Sequence, residues 1–197
     1  RQRGERLLAM TKSSCPSADV GVWNGVARSA YTQCETWRKE VMARLRTVGA
    51  ARVVLSNLIE EPIVVVDRDT GRLLKGREAA AAWRQGLERT IQQLRALGLE
   101  VVVVRDTPRP RPDVQDCLYA AADAAKCELT RAEALSAPAL DVAAARASGA
   151  EVWDFSDQIC PAGRCPVLVP GEQPEVVYRD SNHLTATYVR RLVPEMQ

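Results

Sequence analysis

Histidine is almost missing from this chain: His183 is the only one in 197 residues. There is no Cys-x-x-Cys pair either, so the sequence offers no zinc site, which needs closely spaced cysteines or a histidine cluster. An excess of one charge is also lacking. Lys plus Arg number 27 against 25 Asp plus Glu, a net +2, which makes no electrostatic case for nucleic acid or an acidic membrane surface. No apolar run approaches the roughly 20 residues that span a bilayer. No signal-peptide pattern opens the chain, and no internal repeat or low-complexity segment interrupts it. What is there, 46% hydrophobic and 26% charged residues, is the balance of one globular domain.

Cysteine is the informative residue. Cys15, Cys34, Cys117, Cys127, Cys160 and Cys165 allow 15 connectivities. Sequence locality favours nearest neighbours: Cys15 with Cys34, Cys117 with Cys127, Cys160 with Cys165. Disulfides imply an oxidising compartment outside the cytoplasmic membrane, and the 15–34 bridge alone would contribute roughly 3 kcal/mol through loop entropy. The alternative is a cytosolic chain with six reduced, buried cysteines.

Hydrophobic patterning alternates between strand and helix. Leu7–Thr11 reads as a short strand leading into the loop Lys12–Pro16. Tyr31–Val48 has Trp37, Val41, Leu45 and Val48 at helical spacing, with Gly49 as its stop. Arg52–Leu55 and Glu100–Val104 are continuous apolar strands of the kind covered on both faces in a parallel sheet. Between them, Glu78–Leu97 is an amphipathic helix with Ala82, Leu87, Ile91 and Leu94 on one stripe and Gly98 ending it. Thr107–Pro112 is too proline-rich to continue a sheet and opens a loop-and-helix excursion through Cys117 and Cys127. Ala137–Ser148 reads as helix, Glu151–Phe155 as strand, Pro166–Val169 with Val176–Tyr178 as a small hairpin around Gly171, and Leu184 to about Val193 as the last helix. Such alternation is the α/β signature, a parallel sheet between helices. The polar stretch Arg1–Arg6 reads as the end of a helix, as if the fold were entered one strand and one helix late.

The segment Tyr178-Arg179-Asp180-Ser181-Asn182-His183-Leu184-Thr185 carries the chemistry. A loop of this spacing turns the Asp180 carboxylate back onto the His183 imidazole. The carboxylate then accepts from one ring N–H, fixes the tautomer and leaves the other nitrogen as a general base. The competing reading is a helix cap at Asp180 beside an ordinary surface histidine.

The pattern Tyr178-x-Asp180-x-Asn182-His183-Leu184-Thr185, preceded by Cys160 and Cys165, resembles the closing block of SGNH hydrolases. More narrowly it resembles the SGNH domains fused to polytopic membrane O-acyltransferases in bacteria, the acyltransferase-3/SGNH type. Three further stretches look like that subgroup: Thr11–Pro16, Cys34–Arg38, and Ala82–Leu87 followed by Val101–Pro108. The likeness covers essentially all 197 residues. It implies a flavodoxin-like three-layer α/β/α sandwich with a mostly parallel sheet, stapled by disulfides, and a Ser-His-Asp triad in which His183 is the base and Asp180 orients it. It implies no cofactor and no metal. It further implies an extracytoplasmic domain that takes an acyl group, acetyl above all, from a donor delivered by a transmembrane acyltransferase domain, and passes it through serine to a hydroxyl of a cell-envelope glycan or glycolipid.

In this family the nucleophile sits in a Gly-Asp-Ser block after the first strand, and no Gly-Asp-Ser occurs among these residues. Residues 1–197 therefore read as a single SGNH-like domain whose first strand and nucleophile precede Arg1. Of the nine serines, Ser13 and Ser14 beside Cys15 suit a loop and bridge role, and Ser181 lies inside the Asp–His loop. Family members build the oxyanion hole from the serine amide, a Gly amide and an Asn side chain. Asn57, just after the Arg52–Leu55 strand, stands where such a donor belongs, without the usual Gly-x-Asn flank. Trp23, Trp37, Trp83 and Trp153 read as core or lid packing, Arg109 and Arg111 as a solvated loop rather than a substrate rim, and Asp67–Asp69 as a turn at Gly71. Two other functions compete: a secreted esterase or carbohydrate deacetylase, with water as acceptor, and a non-catalytic extracytoplasmic binding module that kept the fold without its serine.

Overall fold

The runs Arg52–Ser56 and Glu100–Val104 hold too little polar surface to face water on both sides. In the computed structural model of the chain they lie side by side as parallel strands in register, Val53 opposite Val101 and Leu55 opposite Val103. The structure describes residues 6–59 and 64–192. Arg1–Glu5, and Val193 at the end of the expected last helix, lie outside the described residues.

In chain order the elements are β1 (Gly21–Asn24), β2 (Ser29–Ala30), α1 (Thr32–Leu45), β3 (Arg52–Ser56), β4 (Val65–Val66), β5 (Leu73–Leu74), α2 (Gly76–Ala96) and β6 (Glu100–Val104). There follow α3 (Val114–Ala120), β7 (Leu129–Thr130), α4 (Arg131–Ala134), α5 (Leu140–Ala147), β8 (Glu151–Trp153), α6 (Ser156–Ile159), β9 (Arg164–Cys165), β10 (Leu168–Val169), β11 (Glu175–Val176) and α7 (Ala186–Leu192).

The parallel sheet has the order β3-β6-β8. Side chains alternate across a strand, so Val53, Leu55, Val101 and Val103 share one face. That face packs on Leu87, Ile91 and Leu94 of α2 and Ala144 and Ala145 of α5 in the larger core. Val54, Val102, Val104 and Trp153 share the opposite face by the same register. Val104 and Trp153 are covered there by a second core containing Val114, Phe155, Tyr178, Tyr188 and Leu192. Val54 is not: it is 46% exposed. Among the described residues, β3 is paired on one side only, so both its edge and half of one face stand open.

The disulfides join Cys15 to Cys34, Cys117 to Cys127 and Cys160 to Cys165, with Cα–Cα separations of 5.4, 5.8 and 4.0 Å. The nearest-neighbour pairing holds throughout. Several expectations need correction. Leu7–Thr11 is not a strand, because no described strand pairs with it and Leu7 is 91% exposed. The helix expected from Ala137 begins at Leu140, after Pro138. The strand expected to reach Phe155 stops at Trp153, and Phe155 turns into the second core. A four-stranded antiparallel sheet, β2-β1-β4-β5, had no counterpart in the sequence reading. The Asp67–Asp69 turn falls between β4 and β5, where Asp67 Oδ1 accepts from the Asp69 and Thr70 N–H groups.

Residues 15–20 form a backbone strap across these elements. The Arg38 guanidinium donates to the carbonyls of Pro16, Ala18 and Val20, and the Asp19 N–H donates to the Gly86 carbonyl at 3.0 Å. The approach at Gly86 leaves no room for a side chain: a Cβ there would lie 2.5 Å from Val20 Cγ1 and 2.8 Å from the Asp19 carbonyl oxygen. Gly86→Ala is therefore expected to lose about 1–3 kcal/mol by overpacking, despite the better helix propensity of alanine. Urea denaturation checks it: a lower midpoint at unchanged slope is expected, and an unchanged midpoint would show that the strap yields freely.

Candidate active site

Local hydrogen bonds shape the loop between β11 and α7. Tyr178 and Leu184 form an isolated antiparallel bridge, and the Arg179 N–H donates to the His183 carbonyl at 2.8 Å. Within the loop, Asp180 Oδ1 accepts from the backbone N–H groups of Asn182 (3.0 Å) and His183 (2.8 Å). His183 Nδ1 lies 2.8 Å from Oδ1 and 2.9 Å from Oδ2 of the same carboxylate. An ionised carboxylate only accepts, so Nδ1 carries a proton, and in the neutral ring the lone pair is then on Nε2. The Arg179 guanidinium donates to Oδ2 at 3.2 Å. From α3, Gln115 Nε2 donates to the Arg179 carbonyl, tying the loop to the helix that holds Cys117. Thr185 Oγ1 accepts from the Tyr188 N–H and starts α7.

Desolvation pushes the Asp180 carboxyl up, but the Asn182 N–H, the His183 ring and N–H, and the Arg179 guanidinium outweigh it and hold the group well below the usual carboxylate range. Asp180 is thus the ionised partner of His183 throughout the neutral range.

His183 lines a groove of about 2790 Å³ together with β3, α1 and residues 6–17. Trp37, Val41 and Leu45 of α1 and Val53, Val54 and Leu55 of β3 supply its apolar lining, and Asn57 and Trp153 also border it. Asn57 and Trp153 stand at the carboxyl ends of parallel strands, where open α/β sheets bind ligands. Asn57 is 7% exposed. Its Oδ1 accepts from the Ser17 N–H at 2.8 Å and the Ser17 hydroxyl at 3.0 Å, while its Nδ2 is buried without a partner among the described residues.

The loop after Asn57 is fastened from behind. Asp106 Oδ2 accepts from the Ile59 N–H at 2.9 Å and from Arg109 at 3.0 Å, and Arg109 also donates to the Ile59 carbonyl. Arg109 is accordingly a clamp on the candidate site, not part of a solvated loop. Arg111 pairs locally with Asp113. The Asp106 N–H donates to the fully buried Asp141 at 2.6 Å. Burial pushes the Asp141 carboxyl up, against the two N–H donors from Asp106 and Val142. Between the unfolded value, about 3.9, and its raised folded value, the native state holds a proton the unfolded chain has lost. The contribution of Asp141 to stability therefore falls as pH rises through that window.

Asp180 and His183 are thus in direct contact, and His183 and Asn57 border the same long groove. Ser13 and Ser14 border the groove in the turn held by the Cys15–Cys34 bridge, but neither hydroxyl hydrogen-bonds the His183 ring among the described residues, and nor does Ser181. Trp83 is core, at 2% exposure, whereas Trp37 and Trp153 face the groove. Ser17, Gln115, Asp106 and Asp141 had no signal in the sequence, since each acts on a partner 35 or more residues away.

An α/β domain with a parallel sheet, three local disulfides and an aspartate–histidine loop before its last helix belongs to a defined class. The chain is a member of the SGNH domain family, of the kind fused to AT3 domains, whose family model matches residues 1–197. Among solved structures it is similar to the periplasmic domain of the lipopolysaccharide acetyltransferase of Salmonella ser. Paratyphi A, with a TM-score of 0.57 at 12% identity, covering 93% of this chain and 69% of that one. None of the curated proteins compared matches the chain.

Asp180 should remain ionised at about pH 3.5, where an ordinary aspartate is more than half protonated. Its carboxyl carbon shift in NMR reads this directly. The stability its contacts contribute is present above the unfolded value and lost only as pH falls through the depressed folded value. A midpoint near that of a free aspartate would show that the loop contacts do not hold in solution.

Proposed function

We propose that this domain works outside the cytoplasmic membrane as the acyl-transferring part of a membrane O-acyltransferase. A transmembrane acyltransferase domain delivers the donor, and the domain passes an acyl group, acetyl above all, to a hydroxyl of a cell-envelope glycan or glycolipid. The observation that carries this reading is the Asp180–His183 pair, with Nδ1 occupied by the carboxylate and Nε2 free to take a proton. Family membership, the three disulfides and the acetyltransferase neighbour support it.

The nucleophile in this reading is a serine carried by polypeptide outside residues 1–197 and seated in the groove beside β3. The open edge of β3 and the exposed Val54 are the surface such a segment would cover. His183 Nε2 takes the serine proton as the serine oxygen bonds to the acyl carbon. The tetrahedral intermediate collapses, and the donor's leaving group departs with that proton. The acceptor hydroxyl then attacks the acyl-serine, giving its proton to His183, and serine is restored when it takes the proton back. The oxyanion formed in each step takes a hydrogen bond from Asn57 Nδ2, an interaction worth about 2.7–4 kcal/mol in enzymes of this kind.

In the full-length protein, His183→Ala should cut acyl transfer by about 10³-fold or more with the circular dichroism spectrum unchanged. A serine-directed fluorophosphonate should add once, on a peptide outside residues 1–197. Surviving activity in the variant sinks the triad. A label on a serine within residues 1–197 sinks the assignment of the nucleophile, and no label at all favours a binding module.

A further inference from the structure

We infer that Ser17 is a positioning residue for the oxyanion: its N–H and hydroxyl hold the Oδ1 end of the Asn57 side-chain amide and leave the NH₂ end unpaired among the described residues, in a side chain that borders the groove. This rests on the reading of Asn57 as the oxyanion donor and adds a residue that the Asp–His pair does not touch.

The orientation follows from donor chemistry. The two ends of an asparagine amide are nearly alike in shape, and their assignment depends on their hydrogen-bond partners. A backbone N–H can only donate, so the atom 2.8 Å from the Ser17 N–H is the carbonyl oxygen of the Asn57 amide. The Ser17 hydroxyl, 3.0 Å from the same oxygen, donates as well. With Oδ1 holding two donors, Nδ2 is left on the other side of the amide. There it is buried and unpartnered among the described residues, in a side chain that borders the same groove as His183. A buried amide NH₂ without an acceptor is costly, by about 1–3 kcal/mol. An acyl oxygen that becomes negative during reaction would supply the acceptor it lacks among the described residues.

Ser17 can hold the amide because its own backbone is held on every side. Arg38 binds the carbonyls of Pro16 and Ala18 on either side of it, and Thr90 Oγ1 donates to the carbonyl of Ser17 itself at 2.8 Å. Two residues earlier the Cys15–Cys34 bridge ties the strap to α1. On the far side of Asn57, Asp106 and Arg109 bind Ile59. The donor is thus fixed from both directions before substrate arrives, which is what electrostatic stabilisation of a transition state requires.

The test is steady-state hydrolysis of p-nitrophenyl acetate by the full-length protein, with Ser17→Ala, Ser17→Thr and Asn57→Ala. Loss of the serine hydroxyl leaves the backbone donor in place and removes one neutral hydrogen bond. Ser17→Ala should therefore lower kcat about 3- to 10-fold at unchanged KM, and Ser17→Thr, which keeps the hydroxyl, should restore most of it. The Asn57 side-chain NH₂ signals in a ¹⁵N correlation spectrum should move in Ser17→Ala and return in Ser17→Thr, a readout that a loss of stability alone does not produce. Asn57→Ala should cost about 10²–10³-fold in kcat. If Asn57→Ala is impaired while Ser17→Ala matches the parent protein in kcat and in the amide signals, Ser17 has no positioning role. If Asn57→Ala keeps full activity, the oxyanion reading of Asn57 itself falls.

Discussion

The Arg38 guanidinium gathers the strap on which the Asn57 loop and α2 both bear. Three carbonyls, those of Pro16, Ala18 and Val20, converge on it, and they belong to a stretch with almost no regular structure of its own. Backbone carbonyls facing the interior must find donors, and one planar five-donor head supplies them from α1. The strap so formed then meets α2 at Gly86, the Asn57 loop through Ser17, and the Arg68 and Arg89 side chains through Asp19. Desolvation draws down the Arg38 pKa, with the nearby Arg68 charge adding to the effect and Asp19 and Glu35 opposing it. A lysine there would bring the charge but not the fork that spans three carbonyls.

Two aspartates brace the candidate site, one at His183 and one behind the Asn57 loop, and their environments push them in opposite directions. Asp180, partly exposed, gathers donors and stays charged. Asp141, fully buried, holds two backbone donors, yet desolvation still prevails. One is suited to meeting an imidazolium, and the other to fixing a loop. The chain Asp141–Asp106–Ile59 connects the start of α5 to the loop that presents Asn57, so the helical layer behind the sheet bears on the donor in front of it.

How much of this was legible in the sequence depended on distance along the chain. The valine runs of β3 and β6 announced a parallel pair because they lack the polar alternation of a strand with one wet face, although Val54 of β3 is in fact 46% exposed. The Asp180–His183 contact was legible because three residues separate the partners, and the disulfides because each cysteine bonds to its neighbour in sequence. Strands of two residues, such as β2, β4 and β5, are too short to show any period. Leu7–Thr11 has the composition of a strand but no described partner, and pairing is what makes a strand. Ser17 and Asn57, 40 residues apart, form a contact that only the strap's path creates. Arg109 sits in a proline-rich stretch that resembles a solvated loop, while its head reaches inward to Ile59 and Asp106.

The spacing of the disulfides bears on how the chain acquires them. Their sequence separations are 19, 10 and 5 residues, and the first, third and fifth cysteines each bond to the next one along. A chain threaded N-terminus first into an oxidising space presents Cys34 when Cys15 is the only partner yet available from this sequence. If each pair closes as it emerges, the first is joined before Cys117 arrives, and the second before Cys160. For a domain exported as proposed above, oxidation in step with translocation would meet one choice at a time, whereas the finished, fully reduced chain has 15 connectivities open to it.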